Sequence, residues 1–268
     1  PKRLKNIPVM YLYATSDGSM WLGYRSVLAK YDTNGQLVKE YPIRNEHGGA
    51  SISGFCESRN HEIIISVWNG RVYHLDKEKD EFIPYPDKMR SRNPTVMVQD
   101  NDQDYFWLAT WGDGVVRFDP SAPGDSMFVY SEIPVNAAGE EDGLILSLAQ
   151  DDKLGYIWLT TGHDFMALQI QPDRTLKQLK FPAGLLPVNH MLVEVLKGKE
   201  CLWVSAFDRP SFILHLMDNI TKDYALPALA DRVNRSPAIM ALCDDGDGMM
   251  WMMQERTGLA LYDLKQDK

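Results

Sequence analysis

Apolar and polar residues alternate over short segments along this chain, and almost no stretch has helical periodicity. Residues 104–119 (DYFWLATWGDGVVRFD) show the pattern most clearly. Positions 105–111 are aromatic and β-branched, and positions 115–118 form a second apolar run. Between them, Gly112-Asp113-Gly114 supplies residues that can hold positive φ in a tight turn. The segment therefore predicts two antiparallel strands. The second strand ends at Asp119-Pro120, because proline cannot donate a backbone hydrogen bond to the ladder.

The same unit recurs along the chain at a nearly constant spacing. Its anchor residues are 43, 43, 51, 45 and 48 residues apart; they are Trp21, Ile64, Trp107, Trp158, Trp203 and Trp251. Self-similarity at such a period is typical of a propeller or a solenoid. We expect the large anchor rings to pack between neighbouring repeats, where each can bury on the order of 200 Å².

Each repeat has two further predicted strands. Short apolar strands precede the anchors at 10–15, 52–57, 95–99, 144–150, 191–196 and 239–243, and more polar strands follow the closing aspartates at 37–41, 81–85, 128–133, 176–181 and 222–226. Four antiparallel strands in about 45 residues are typical of a propeller blade. The predicted fold is all-β: one β-propeller domain, or a fragment of one, with six blades at approximately 9–41, 51–86, 94–134, 143–182, 190–227 and 238–268.

The last repeat ends before a trailing strand, so we expect a chain cut at a blade boundary of a longer repeat protein. The six repeats then form either a six-bladed ring or part of a seven-bladed one.

Composition and charge argue against some classes of function and partner. The net charge of −9 gives no global basic footprint for nucleic acid, so no nucleic-acid partner is expected. No apolar run approaches the roughly 18 residues that span a bilayer. The three cysteines, Cys56, Cys201 and Cys243, lie in predicted strands without a C-x-x-C pair. We expect buried thiols there rather than disulfides or metal ligands.

Four repeats fit the pattern D-x-x-G-x-(L/M/I)-W-(L/V/I)-(G/A/S)-T-x-x-G-(L/V)-x-x-(F/Y)-D. The fits are at 17–23, at 107–119, at 155–161 and at 247–263, while the second repeat has Ile64 in place of tryptophan. This pattern resembles the two-component-regulator propeller repeat family. The resemblance implies the periplasmic sensor region of a hybrid two-component histidine kinase, in a membrane-anchored parent protein that forms a homodimer. The kinase itself would lie outside this chain.

Catalytic and metal-binding signatures are missing from the sequence. It contains no G-x-S-x-G, H-E-x-x-H, Walker or G-x-G-x-x-G motif, and its six histidines fall at unrelated repeat positions. Asp100, Asp102 and Asp104 have the 1-3-5 spacing of a calcium loop, but Tyr105 and Trp111 stand where that loop needs glycine and glutamate. These aspartates are therefore predicted to shape a turn. No metal, no cofactor and no catalytic residue are expected.

Trp68 and Trp111 suggest a binding surface. Both follow an anchor by four residues, and the equivalent positions in other repeats hold Arg25, Gly162, Phe207 and Glu255. Variation at one position of a constant scaffold is typical of a binding face. The alternative is that the two rings only cover blade edges. Loops on this face carry arginines, which bind carboxylates bidentately. The candidate ligand-binding residues are Arg25, Trp68, Arg90, Arg92, Trp111, His163, Arg209 and Arg235.

The sequence thus predicts a non-catalytic sensor that binds an oligosaccharide, with an acidic one suiting the arginines, or a neighbouring propeller. A propeller lyase or hydrolase acting on carbohydrate, and a pure interaction scaffold, are the alternatives.

Overall fold

The computed structural model describes residues 11–24, 26–45, 48–68, 71–86, 89–90, 93–151, 153–179, 192–197, 201–206, 211–215, 220–224, 239–244, 248–254, 258–263 and 266. The chain divides into two compact units, Pro1–Tyr130 and Ser131–Lys268. Strands dominate both units. In the described ranges the one helical element is a 3-10 turn at Gly124–Ser126, and no helix there is long and apolar enough to cross a membrane.

Unit 1 contains three four-stranded sheets. Sheet 1 is β1 (Tyr11–Ala14), β2 (Met20–Tyr24), β3 (Val27–Tyr31) and β4 (Leu37–Pro42), followed by the short pair β5 (Arg44–Asn45) and β6 (Gly48–Gly49). Sheet 2 is β7 (Ile52–Glu57), β8 (Ile63–Val67), β9 (Val72–Asp76) and β10 (Glu81–Pro84). Sheet 3 is β11 (Pro94–Gln99), β12 (Phe106–Thr110), β13 (Val115–Phe118) and β14 (Phe128–Tyr130).

Unit 2 repeats the arrangement. Sheet 4 is β15 (Ile145–Asp151), β16 (Tyr156–Thr161), β17 (Phe165–Ile170) and β18 (Leu176–Gln178). Sheet 5 is β19 (Leu192–Lys197), β20 (Cys201–Ala206), β21 (Ser211–His215) and β22 (Ile220–Tyr224). Sheet 6 has three strands among the described residues: β23 (Ile239–Asp244), β24 (Met249–Gln254) and β25 (Gly258–Asp263).

Every sheet pairs its strands in chain order and antiparallel, which confirms the predicted four-stranded meander. The trailing strands of sheets 3 and 4 are shorter than the sequence pattern suggested, since β14 ends at Tyr130 and β18 at Gln178. A trailing strand pairs on one side only, so the residues after Tyr130 gain little from continuing the ladder.

A register shift recurs at the start of the leading strands. It falls between Ile52 and Gly54 in β7, and between Pro94 and Val96 in β11. The leading strands β15, β19 and β23 shift at the same point. Such a bulge bends the strand and increases its twist. The repeated bulge therefore places the same distortion opposite the end of the second strand in sheets 2 to 6.

The core of unit 1 lies between successive sheets. One cluster joins Trp21, Leu28 and Tyr41 of sheet 1 to Phe55 and Ile65 of sheet 2. The ring centroids of Trp21 and Phe55 are 5.7 Å apart. A second cluster joins sheets 2 and 3 through residues that include Ile64 and Phe106. As expected of the anchors, Trp107 is fully buried in unit 1, and Trp158 and Trp203 are buried in unit 2.

Two expectations of burial are wrong in sheet 6. Trp251 is 39% exposed, whereas its strand neighbours Met250 and Met252 are buried. Cys243, predicted to be a buried thiol, is also exposed. Both deviations have one cause, because Cys243 lies directly opposite Trp251 in the pairing of β23 with β24. Opposite residues of an antiparallel pair share a face, and this face of sheet 6 is open. Cys56 is buried, as predicted, and the side chain of Cys201 lies outside the described residues.

Candidate functional site

Two tryptophans meet where β8 and β12 end. Trp68 and Trp111 each follow the last residue of their strand directly, and their ring centroids are 5.4 Å apart at an interplanar angle of 65°. An edge-to-face pair of this kind is a favourable aromatic geometry. Trp68 is half-buried, but Trp111 is 52% exposed. The pair thus presents a large apolar surface to solvent.

Backbone hydrogen bonds hold both tryptophans in place. The amide of Trp68 donates to the carbonyl of Ser51 at 2.8 Å, and the amide of Trp111 donates to the carbonyl of Asn93 at 2.8 Å. Ser51 and Asn93 each precede a leading strand that begins with a bulge. The two rings are therefore fixed by the same local design in sheets 2 and 3. Neighbouring sheets bring them together, although they are 43 residues apart in the chain.

The loop after Trp111 is tight. Gly112 has φ of +121° and Gly114 has φ of +68°, conformations that residues with a Cβ rarely adopt. The Thr110 hydroxyl donates to the carbonyl of Gly114 at 2.8 Å, and the amide of Asp113 donates to the same hydroxyl at 3.1 Å. These bonds fix the backbone of Asp113, two residues after Trp111.

Arg90 lies near Asp113 and stacks on Tyr130. One guanidinium nitrogen is 4.0 Å from Asp113 Oδ1, and the guanidinium carbon is 4.2 Å from the ring centroid of Tyr130. The amide of Arg90 also donates a short hydrogen bond to the Tyr130 hydroxyl. The Arg90 side chain is nevertheless 70% exposed. Its position is therefore set by stacking on Tyr130, while most of its donor groups face solvent.

We call Trp68, Arg90, Trp111 and Asp113 the aromatic patch. It offers an aromatic surface, a guanidinium with several N–H donors and a carboxylate that accepts hydrogen bonds, all in unit 1. Aromatic faces can stack on the apolar faces of sugar rings, a guanidinium binds carboxylates bidentately, and a carboxylate accepts hydrogen bonds from hydroxyls. The patch can therefore bind a polar ring with hydroxyl and acidic substituents.

Of the remaining candidate residues, the structure describes only His163. His163 belongs to unit 2, where its Nδ1 lies 3.5 Å from the Oδ2 atom of Asp142 and its ring is exposed. Asp142 is buried and accepts a 2.6 Å hydrogen bond from the Thr161 hydroxyl. His163 therefore sits over a buried carboxylate. Arg25, Arg92, Arg209 and Arg235 lie outside the described residues.

Two residues that contact Arg90, Asp113 and Tyr130, were not predicted from the sequence as part of a binding site. Asp113 had been considered only as a turn residue, and Tyr130 only as part of a trailing strand. The contact between Arg90 and Tyr130 spans 40 residues. No local signal in the sequence marks it, whereas the Gly-Asp-Gly turn could have pointed to Asp113 as a half-buried carboxylate that solvent reaches.

The acidic turn before β12 has the structural role that its sequence predicts. Asp100 is fully buried, and its Oδ1 accepts the amides of Asp102 and Gln103 at 3.0 Å each. Its Oδ2 accepts the indole N–H of Trp107 at 2.9 Å. This carboxylate therefore joins the turn to the anchor of the repeat.

Comparisons with known proteins identify the fold. No family model and no curated protein matches the chain. Among solved structures, the extracellular domain of BT4673 from B. thetaiotaomicron, described as a putative hybrid two-component system, superposes with a TM-score of 0.69 at 14% identity. That match covers 96% of this chain and 34% of the other, so this chain spans about a third of that ectodomain.

Two other solved structures have similar scores. Virginiamycin B lyase from Staphylococcus aureus, in a catalytically inactive form with quinupristin, has a TM-score of 0.72 at 19% identity, covering 97% of this chain and 81% of the lyase. PorZ, a surface component of the type-IX secretion system of Porphyromonas gingivalis, has a TM-score of 0.74 at 14% identity, covering 95% of this chain and 38% of PorZ. The four-stranded antiparallel sheets and these likenesses establish an all-β fold of the β-propeller type.

Proposed function

We propose that this chain is the extracytoplasmic, non-catalytic sensor propeller of a hybrid two-component system, and that its aromatic patch binds an oligosaccharide. The observation that supports the proposal most directly is the exposed Trp111 ring held against Trp68. The likeness to the BT4673 extracellular domain supports the sensor role. In the intact protein, a membrane-anchored homodimer would transmit binding to a histidine kinase.

The exposure of Trp111 favours ligand binding over a purely structural role. A tryptophan side chain can bury about 200 Å², and apolar burial stabilises by about 25 cal/mol per Å². With 52% of Trp111 exposed, a ligand that covered the ring would gain roughly 2–3 kcal/mol.

Arg90 determines the preferred charge of the ligand. Its guanidinium is exposed, and its 4.0 Å pairing with Asp113 is too long for a strong hydrogen bond. A sugar carboxylate could therefore engage the guanidinium without displacing a tight partner. We expect uronic-acid oligosaccharides to bind more tightly than their neutral counterparts.

Isothermal titration with matched neutral and acidic oligosaccharides tests the proposal. Trp111→Ala should weaken binding of every ligand by about tenfold or more, as the loss of a stacking platform costs at least 1.4 kcal/mol. Arg90→Ala should weaken binding of the acidic ligands selectively. Trp251→Ala is the matched control, because it removes another exposed tryptophan from unit 2 and should leave binding unchanged. Equal affinities for wild type and Trp111→Ala would refute this site.

The likeness to virginiamycin B lyase favours a lyase as the second candidate function. His163 over the buried Asp142 is a possible acid–base pair for it. Chromatography of the titrated oligosaccharides separates the two functions, since a sensor returns them intact and a lyase yields unsaturated products. A neighbouring propeller is the alternative partner; it would be supported if no sugar binds and Trp111→Ala abolishes self-association.

A further inference from the structure

One face of sheet 6 exposes a group of large apolar side chains. Met253 is 48% exposed, Leu259 is 66% exposed and Leu261 is 46% exposed, and 39% of Trp251 also reaches solvent. Strand pairing places Trp251 opposite both Cys243 and Leu261, and it places Met253 opposite Leu259. These five side chains therefore share one side of the sheet. We call Cys243, Trp251, Met253, Leu259 and Leu261 the open face.

The other face of the same sheet is covered by its neighbour. Met250, Met252 and Tyr262 point away from the open face and are buried. The ring centroid of Tyr262 lies 5.7 Å from that of Trp203, the anchor of sheet 5. Sheet 5 therefore packs on one side of sheet 6, whereas the open face on the other side stays accessible to solvent.

The positions of the open face are core positions elsewhere in the repeat. Leu259 lies opposite Met253, the residue two positions after the anchor. The residues that hold the place of Leu259 in sheets 1 to 4 are at most 2% exposed; they are Leu28, Val72, Val115 and Phe165. Terminal repeats normally have a polar outer face. An apolar outer face on sheet 6 is therefore typical of a surface that a partner covers.

Met253 distinguishes the open face from the junctions between consecutive sheets. Sheets 1 to 5 carry a small, buried residue two positions after the anchor: Gly23, Ser66, Ala109, Thr160 and Ser205. In sheet 1, a Cβ at this place would already meet the Ile52 side chain of sheet 2 at 3.6 Å. A methionine there would overpack the junction. The open face is therefore not built for the close packing that joins sheet 1 to sheet 2, and this argues against one more sheet of the same kind as its partner.

The chemistry of the open face suits a second copy of the same face. Its five side chains carry no charge, so two such faces can pair without burying an unpaired ion. Asp263, the last residue of β25, is half-buried at the edge of the face, where solvent still reaches it. A methionine such as Met253 adapts its shape to fill gaps between two apolar surfaces. A two-fold axis brings one surface patch against its own copy, and this is the commonest symmetry of homo-oligomers.

The exposed apolar area is close to what a dimer needs. At about 200 Å² for each large side chain, the exposed fractions of the open face leave about 400 Å² of apolar surface. A standard interface buries about 800 Å² on each partner, of which somewhat more than half is apolar. The open face therefore supplies most of the apolar area that one side of such an interface requires.

We propose that the open face mediates formation of a homodimer, in which sheet 6 of one copy packs against sheet 6 of a second copy about a two-fold axis. Trp251 lies on the middle one of the three described strands and forms the centre of the interface. The interface belongs to unit 2, whereas the aromatic patch belongs to unit 1. Dimer formation therefore does not require an oligosaccharide.

Analytical ultracentrifugation of the chain between about 1 and 500 µM should show a reversible monomer–dimer equilibrium. Leu259→Lys should weaken dimerisation by about tenfold or more, because it places a cation in the interface. The matched control is Leu12→Lys, since Leu12 is an equally exposed leucine of sheet 1, at 61%, and its replacement should change the dimerisation constant by less than about twofold. Labelled Leu259→Lys should also bind wild type weakly, because a two-fold interface needs the open face in both copies.

The thiol of Cys243 gives a second measurement that leaves the open face unaltered. In a Cys201→Ser background, Cys243 should react as an exposed thiol at concentrations below the dimerisation midpoint. Its reaction rate should fall as the concentration rises through the midpoint, because the second copy covers it. This measurement tests the interface even if Leu259→Lys does not fold.

Three results would overturn the proposal: a monomer at every concentration, a Cys243 reaction rate that does not depend on concentration, or equal weakening of the dimer by Leu12→Lys and Leu259→Lys. Trp111→Ala separates this interface from the aromatic patch. It should leave dimer formation unchanged whether or not the patch binds sugar.

Discussion

Replacing Asp100 by asparagine should destabilise unit 1 through a single buried hydrogen bond. In the native protein, one carboxylate oxygen accepts two turn amides and the other accepts the indole N–H of Trp107. Asparagine can keep one oxygen toward the turn, but its NH₂ group would then face the indole N–H. Two donors would oppose each other at a site where both residues are fully buried.

The expected cost follows from that geometry. A buried donor left without an acceptor costs about 1–3 kcal/mol, and Trp107 cannot turn its indole toward water. Asp100→Ala should cost about 1 kcal/mol more, because the turn amides also lose their acceptor but can be partly rehydrated. Urea unfolding monitored by tryptophan fluorescence should show a lower midpoint with an unchanged slope.

Two controls isolate the bond. Asp102→Asn changes an exposed carboxylate in the same turn and should leave the free energy of unfolding within about 0.5 kcal/mol of wild type. In a Trp107→Phe background, Asp100→Asn should cost at least about 1 kcal/mol less, because the indole donor is already gone. The reasoning fails if Asp100→Asn matches Asp102→Asn, or if its cost is unchanged in the Trp107→Phe background.

The remaining predictions concern acid stability, thiol reactivity and a turn. Hydrogen bonds from Thr15 and Ser19 lower the pKa of Asp17, and the pKa of Glu57 is also lowered, so the folded state binds fewer protons than the unfolded state. Stability should therefore be full above about pH 5 and fall as the pH drops below the unfolded values near 4, and Glu57→Gln should flatten that decline in urea titrations. In a Cys201→Ser background, Cys243 should react rapidly with a thiol reagent and Cys243→Ser should remove the fast phase, because Cys56 is buried and its pKa is raised to about 11 by desolvation. Gly18→Ala should lower the unfolding free energy by about 1 kcal/mol or more, because φ is +77° there; an unchanged midpoint would contradict this.

Local periodicity was enough to predict the repeating architecture. Alternating apolar residues, Asp/Gly turns and evenly spaced anchors are properties of short segments, and each short strand pairs with its neighbour in the chain. The predicted strands around Trp107 therefore agree with β12 and β13 almost to the residue. The turn role of Asp100 was accessible for the same reason, since its partners lie within seven residues.

Contacts between sheets had no such local signal. The repeat pattern predicted that Trp251 would be buried like the other anchors, and the strand position of Cys243 predicted a buried thiol. Both residues instead lie on an open face of sheet 6. The stacking of Arg90 on Tyr130 likewise joins residues 40 positions apart. The repeat specifies which residues of a strand lie on the same face of its sheet. Whether a neighbouring sheet covers that face depends on how the sheets pack. The packing therefore decides whether a residue at a given repeat position is buried in the core or exposed at the surface.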